Sequence, residues 1–254
     1  MQASQRNASR LFLDHDLQGS EVGISDRTAH YLGHVLRLKQ GDRLVVFNGR
    51  GRERMAVVRS LARKRPELSL VDELLPLPEP QLELTLVQAL IKADAMDLIV
   101  QKAAELGVHS LLALKTDFSV IKLDAARAEK RLAHWDKVAQ SACEQSGRHR
   151  PPRISVAESL SACLATLPDD SLRIAFHPAA TGAFTDLAPQ ARRVCILVGP
   201  EGGFSAADLA EIEAARFEFV ALGPRVLRAD TAAIAACCMS QILWGDAGPD
   251  RKTI

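Results

Sequence analysis

The chain has 254 residues, 47% hydrophobic and 25% charged, a globular composition that excludes a disordered chain and permits a core without disulfide or metal staples. No run approaches 18 consecutive apolar residues, which excludes a transmembrane helix, and the first ten residues lack the apolar stretch of a signal peptide, so a cytoplasmic protein is expected. The net charge of +1 is unevenly spread: residues 1–75 hold 13 Lys+Arg against 9 Asp+Glu, net +4, and the remainder is net −3.

The first segment reads as mainly β. Arg10-Leu-Phe-Leu-Asp14 is a short strand. Asp26–Leu36 is a short helix with Asp26 as candidate N-cap and Tyr31, Leu32, Val35 and Leu36 along one side. A turn at Lys39–Asp42 leads to strands at Arg43–Phe47, Met55–Arg59 and Glu67–Val71, with Asn48-Gly49 as a hairpin signal. Together these predict a small β-barrel-like domain over residues 1–75. Within it, Arg50, Arg52, Arg54, Arg59, Arg63, Lys64 and Arg65 face only Glu53 in sixteen residues. Such a stripe neutralises phosphates in a nucleic-acid interface or is the solvated face of a hairpin. Charge alone leaves both open.

Leu75-Pro-Leu-Pro-Glu-Pro-Gln81 holds three prolines in seven residues. It predicts a stiff extended linker over residues 76–81. Over residues 82–254 strands alternate with helices. Strands are predicted at Leu82–Val87, Ser110–Leu114, Arg153–Val156, Leu172–Ala175, Val194–Val198 and Phe217–Ala221. Helices are predicted at Ala95–Leu106, Ala125–Gln145, Ala157–Leu167, Ala206–Ala215 and Thr231–Leu243. This α/β alternation implies a mostly parallel sheet covered on both faces, with ligands beyond the carboxyl ends of its strands.

Two loops occupy that place. Gly199-Pro-Glu-Gly-Gly-Phe204 follows an apolar strand and leads into an S-x-x-D capping pattern, Ser205 to Asp208. Its glycines permit close backbone approach to a ligand, but neither a P-loop nor a dinucleotide-binding glycine pattern is present. Leu222-Gly-Pro-Arg-Val-Leu-Arg-Ala-Asp-Thr-Ala232 opens a helix that Asp230 or Thr231 can cap. That helix is small and apolar on every face, so it is buried in the protein or in a subunit interface. His30 and His34 lie one turn apart, but no carboxylate or cysteine completes a metal site, and none is expected. The five cysteines show no CxxC spacing, and Cys143 is expected to be structural.

Ahead of these loops come Arg10-Leu-Phe12, His30-Tyr-Leu-Gly-His-Val-Leu-Arg37, Gly41-Asp42, Gln101-Lys-Ala-Ala-Glu-Leu-Gly-Val108 and Ala142-Cys-Glu-Gln-Ser-Gly-Arg148. In that order, over nearly the whole chain, they resemble the RsmE family of 16S rRNA uridine-N3 methyltransferases of the SPOUT superfamily. The resemblance implies a PUA-like N-terminal RNA-binding domain and a C-terminal α/β domain with a deep trefoil knot. It implies S-adenosylmethionine as cofactor, held by the two loops, 16S rRNA as partner, free or within the small subunit, and a homodimer formed through the knot. At Phe118 the sequence departs from the family, where an arginine is expected at this candidate RNA-contacting position.

Carried onto this sequence, the cofactor-binding residues are Leu197, Gly199, Glu201, Gly202, Leu222, Gly223, Val226, Leu227 and Thr231. Arg228 and Arg148 are the catalytic candidates, because a cation beside uridine N3 favours loss of its proton. Glu144 is a candidate base or orients Arg148; alternatively Arg148 and Arg150 hold phosphate and Glu144 is a surface charge. His177, before Pro178 at a strand end, either faces the site or is structural. Arg10, Arg37, Arg52, Arg54 and Arg63 are the RNA-binding candidates. Two rival readings stand beside this one: a related enzyme acting elsewhere, such as a tRNA ribose 2′-oxygen, or a non-catalytic RNA-binding assembly protein.

Overall fold

The computed structural model describes residues 8–119, 125–188 and 192–248. The chain divides into two compact units: residues up to Pro78 together with Cys143–Pro151, and Glu79–Ala142 together with the chain from Pro152 onward. The return of residues 143–151 to the first unit had no sequence signal, since the first four of them end a helix whose earlier turns belong to the second.

The first unit is a curled five-stranded sheet. Its strands are β1 (Arg10–Phe12), β2 (Glu21–Gly23), β3 (Arg43–Phe47), β4 (Glu53–Ser60) and β5 (Glu67–Leu74), in the order β1-β3-β4-β5-β2. β1 runs parallel to β3 and the other pairs are antiparallel. Register shifts between Arg54 and Ala56 and between Val58 and Ser60 add local twist, which curls the sheet around its core. That core gathers Leu11, Leu17, Leu32, Leu44, Val46, Val58 and Leu68. The β3–β4 loop is closed by Asn48, whose Oδ1 accepts the Arg50 and Arg52 amides at 2.9 and 3.1 Å.

The predicted helix at 26–36 is two pieces. α1 (Asp26–His30) is capped by Ser25, whose Oγ accepts the Thr28 amide at 3.0 Å, so Ser25 and not Asp26 is the N-cap. A π-helical turn follows at Tyr31–Val35, closed by the Leu36 amide on the Tyr31 carbonyl. It keeps Leu32 in the core with Tyr31 and Leu36 against it, and Arg37 ends it with a left-handed φ of 58°.

The second unit is a seven-stranded, all-parallel sheet. Its strands are β6 (Glu83–Ala89), β7 (Ser110–Leu114), β8 (Arg153–Ala157), β9 (Leu172–Phe176), β10 (Gly182–Ala183), β11 (Arg193–Val198) and β12 (Glu218–Ala221). The order is β10-β12-β9-β11-β6-β7-β8. β11 lies near the centre with Val194 to Val198 all buried, as a strand covered on both faces must be. The helices are α2 (Ala93–Glu105), α3 (Ala125–Ser146), α4 (Leu160–Leu164), α5 (Ala206–Ala214) and α6 (Ala229–Leu243). α2 buries Met96, Ile99, Val100, Ala103 and Ala104, the spacing of one helix face. α6 packs on α2, β6 and β11, and Gln241 Nε2 donates to the Leu106 carbonyl at 2.8 Å. Two-residue β10 was not predicted. No described helix is long and apolar enough to cross a membrane.

Candidate active site

β9, β11 and β12 are neighbours, and all three end at the same edge of the sheet. The loops leaving that edge enclose a cavity of about 370 Å³. Its wall takes Phe176 at the end of β9 with His177 and Pro178 after it, Gly199, Pro200, Glu201, Gly203 and Phe204 after β11, and Leu222 to Ala229, except Pro224, after β12.

The first loop is a tight turn held from both sides. The Gly203 amide donates to the Pro200 carbonyl at 2.9 Å, with Gly203 at φ +74°. Gly199 lies so close to Phe204 that a Cβ there would sit 3.0–3.3 Å from three ring carbons. The turn passes into α5 through a full capping box: the Asp208 amide donates to Ser205 Oγ at 3.1 Å, and the Ser205 amide to Asp208 Oδ2 at 3.0 Å. Ser205 Oγ also donates to Asp117 Oδ2 at 2.9 Å, tying in the loop after β7.

The second loop turns at Gly223, whose φ of +80° is costly for any residue with a Cβ. Val226 stands 79% exposed on it, an apolar side chain that the described residues leave mostly uncovered. α6 then starts with Arg228 in extended conformation, its own side chain making no capping hydrogen bond. The predicted caps are not used: Asp230 Oδ1 takes the amide of its own neighbour, Thr231, at 2.6 Å. The first turn of α6 contributes Ala229 and Ala232 to the wall, where the positive end of the helix dipole favours an anion.

Of the nine expected cofactor residues, the structure gathers Gly199, Glu201, Leu222, Gly223, Val226 and Leu227 on one wall, with Arg228 beside them. Leu197 is elsewhere: its side chain is fully buried in the core with Val87, Ala175 and Ile212, and Val198 takes its place at the cavity. Gly202 faces the other way, where a Cβ would lie 3.2 Å from Phe118 Cβ. Thr231 is exposed on the first turn of α6, its hydroxyl on Asp230. His177 lies on the wall, its Nδ1 accepting the Ala179 amide at 3.2 Å. Sequence reasoning assigned no role to Phe176, Phe204 or Arg225; the last two lie inside the motifs it singled out.

Glu144 and Arg148 fold with the first unit. Glu144 Oε1 accepts the Phe12 amide at 2.9 Å, which fastens the end of α3 to β1. Burial lifts its pKa above the usual carboxylate value, with the Phe12 amide and Arg10 pulling the other way. Burial, then Glu144, raises Tyr31 in turn.

Two expected RNA contacts are spent inside the protein. Arg10, half-buried, makes a double hydrogen bond to Glu53, at 2.7 and 3.1 Å, with its guanidinium 4.9 Å from the Phe47 ring centre. Arg54 donates to the carbonyls of Leu17, Gly19 and Val71. A count of charges cannot foresee such partners. Arg50 and Arg59 meet Asp14 and Glu21 in exposed pairs, which hold little energy. Arg37, Arg63, Lys64 and Arg65 are exposed and Arg52 half-buried. The 61–65 loop is fastened to α1 by the Lys64 amide on Asp26 Oδ1 at 3.2 Å.

Residues 78–241 match the family model described as an RNA methyltransferase domain, and residues 24–71 that described as an RNA methyltransferase PUA domain. The ribosomal RNA small subunit methyltransferase E of Buchnera aphidicola is 29% identical, covering 95% of this chain and 99% of the relative. A methyltransferase of Legionella pneumophila, solved with bound S-adenosylmethionine, is 32% identical with a TM-score of 0.89, over 94% of this chain and 99% of that one. Ribosomal RNA small subunit methyltransferase E of Neisseria gonorrhoeae, also solved with S-adenosylmethionine, is 31% identical with a TM-score of 0.87, over 95% and 100%.

Proposed function

The chain belongs to the RNA methyltransferase family whose domain it matches, and we propose that it moves the methyl group of S-adenosylmethionine to N3 of a uridine in small-subunit rRNA. One observation carries the reading: two glycine turns, at the carboxyl ends of the two parallel strands that flank β9, line a cavity with apolar walls and a cation among its lining residues. The cavity suits the cofactor. Val198, Phe204, Leu222 and Leu227 offer apolar surface to a purine ring, the turns offer backbone amides, and the start of α6 favours a carboxylate.

When bound, S-adenosylmethionine supplies a sulfonium methyl group open to in-line attack. The protein contributes position and charge. Loss of the uridine N3 proton leaves negative charge shared with the two flanking carbonyl oxygens. Arg228 holds a permanent cation at the cavity wall to stabilise that charge, and Arg225 brings a second on the same loop. Arg148, the other catalytic candidate, folds with the first unit, where Glu144 anchors the segment that carries it. Arg37, Arg52 and Arg63 bind RNA phosphate; Arg10 and Arg54 hold the sheet that presents them. A substrate made of ribosomal RNA implies a cytoplasmic enzyme.

In this reading α6 threads the trefoil knot, which its packing across β6 and β11 supports. It also forms the homodimer. Ile234, Ala235, Cys238, Met239 and Ile242 leave an incompletely covered apolar stripe along it, and Ile242 is 45% exposed. An isologous pair covers such a stripe on both copies. The test is methyl transfer from labelled S-adenosylmethionine to small ribosomal subunits, with bulk tRNA in parallel. Label in rRNA supports the reading; label in tRNA alone overturns it.

A further inference from the structure

His177 follows β9, the strand that lies between β11 and β12 in the sheet, and it lines the cavity between the two glycine loops. Three hydrogen bonds and a ring contact fix it in place. Its amide donates to the Val220 carbonyl at 3.1 Å, just ahead of the loop that carries Arg225 and Arg228, and its carbonyl accepts the Ala180 amide at 3.0 Å. Its ring meets that of Phe219 edge-on, with centroids 6.3 Å apart. The Ala179 amide donates to Nδ1 at 3.2 Å. A ring nitrogen that accepts carries no proton, so the N–H of the imidazole is at Nε2. Among the described residues no group takes that donor, and it is not buried. An oriented N–H without a partner is thus held on a half-buried side chain of the cavity wall.

We propose that His177 Nε2–H donates a hydrogen bond to a carbonyl oxygen beside N3 of the target uracil. The inference rests on the methyltransferase reading and adds a group, besides the arginines, that meets the charge of the reacting base. The charged side chains that share the wall with it are Glu201, Arg225 and Arg228. In the reaction the N3 proton leaves to water, the N3 lone pair forms the new bond to the methyl carbon, and the electron pair of the S–CH3 bond stays on sulfur. Until that bond forms, the negative charge of N3 is shared with the two flanking oxygens. A donor already aimed at one of them therefore stabilises the anion more than the neutral base.

The test is steady-state methylation of small subunits from a strain lacking the enzyme, across a pH series, using wild type, His177→Asn and His177→Gln. Calorimetry with S-adenosylmethionine on each variant reports the folded cavity. A side-chain acceptor for the amide two residues on is an Asx-turn contact, so Asn keeps the Ala179 bond through Oδ1 and lacks the Nε2 donor. Gln reaches further and offers an amide N–H of its own. Asn should lower kcat/KM by about 10- to 100-fold, the worth of one hydrogen bond to a charged acceptor, with cofactor affinity unchanged. Without the donor N3 keeps its proton to higher pH, so the rise of rate with pH should move up by about 1–2 units and the loss should shrink as pH rises. Gln should recover part of the loss. Wild-type activity in His177→Asn, a loss equal at every pH, or a Gln variant no better than Asn overturns the contact to the base alone. Weaker cofactor binding in His177→Asn overturns it too, by placing the donor on the cofactor. A wild type that methylates no uridine N3 overturns the reading beneath it as well.

Discussion

Gly223→Val isolates the backbone demand of the second cavity loop. Gly223 sits at φ +80°, and a Cβ there would meet nothing within 4 Å, so the substitution adds strain and no clash. Left-handed backbone costs a residue with a Cβ about 1–2 kcal/mol. If the loop keeps its shape only when the cofactor is bound, that cost appears in binding, and affinity for S-adenosylmethionine falls about 5- to 30-fold, at 1.4 kcal/mol per tenfold. The control is Gly41→Val. Gly41 has a φ of +92°, also with nothing within 4 Å, but lies in the first unit. It should lose comparable stability, a midpoint lower by about 2–8 °C, and keep full cofactor affinity. Calorimetric titration and thermal unfolding on both proteins decide. A folded Gly223→Val that binds the cofactor like wild type would refute the assignment of this loop.

Reversing Arg37, Arg52 and Arg63 to Glu should weaken rRNA binding and flatten its log–log salt slope by about 2, at roughly 0.7 per phosphate contact; filter binding across a salt series checks this. Arg54→Ala should instead cost about 2 kcal/mol of stability, because it removes a charged donor from three carbonyls, and denaturant unfolding measures it. If the proposed dimer forms through α6, Ile242→Arg should leave a monomer in sedimentation and weaken cofactor binding, since α6 begins at the second loop. Glu144 titrates above its ordinary value in the folded state, so the fold binds its proton more tightly than the unfolded chain does. That contribution is complete below the ordinary carboxylate pKa of 4.5 and lost as pH rises through the raised one. Glu144→Gln should therefore gain stability relative to wild type as pH rises from about 4.5 to neutrality, in paired unfolding curves.

What could be read from the chain beforehand was what local pattern governs. The apolar run Val194–Val198 announced a buried parallel strand, and the glycine turns after it and after Ala221 announced the cavity. The capping box at Ser205 and Asp208 was visible from spacing alone. Tertiary choices were not visible. Arg10 finds Glu53 forty-three positions away, and Arg54 finds three carbonyls, so neither is free for phosphate. Leu197 and Val198 differ only in which side of β11 they occupy, and that assigns one to the core and the other to the cavity. The π-turn at Tyr31–Val35 follows from fitting Leu32 and Leu36 to the curled sheet, which no helical period encodes. Residues 143–146 are the last turn of α3 and yet fold with the first unit, where Glu144 finds the Phe12 amide.

The central claim is that this cavity methylates N3 of a uridine in small-subunit rRNA. It is tested most directly by mass spectrometry of nucleosides from 16S rRNA after incubation of unmethylated small subunits with the enzyme and S-adenosylmethionine, with Arg228→Ala alongside. The account predicts one equivalent of 3-methyluridine from wild type and a strong loss in the variant. A methyl group found on a ribose oxygen or on another base, or none at all, would contradict it.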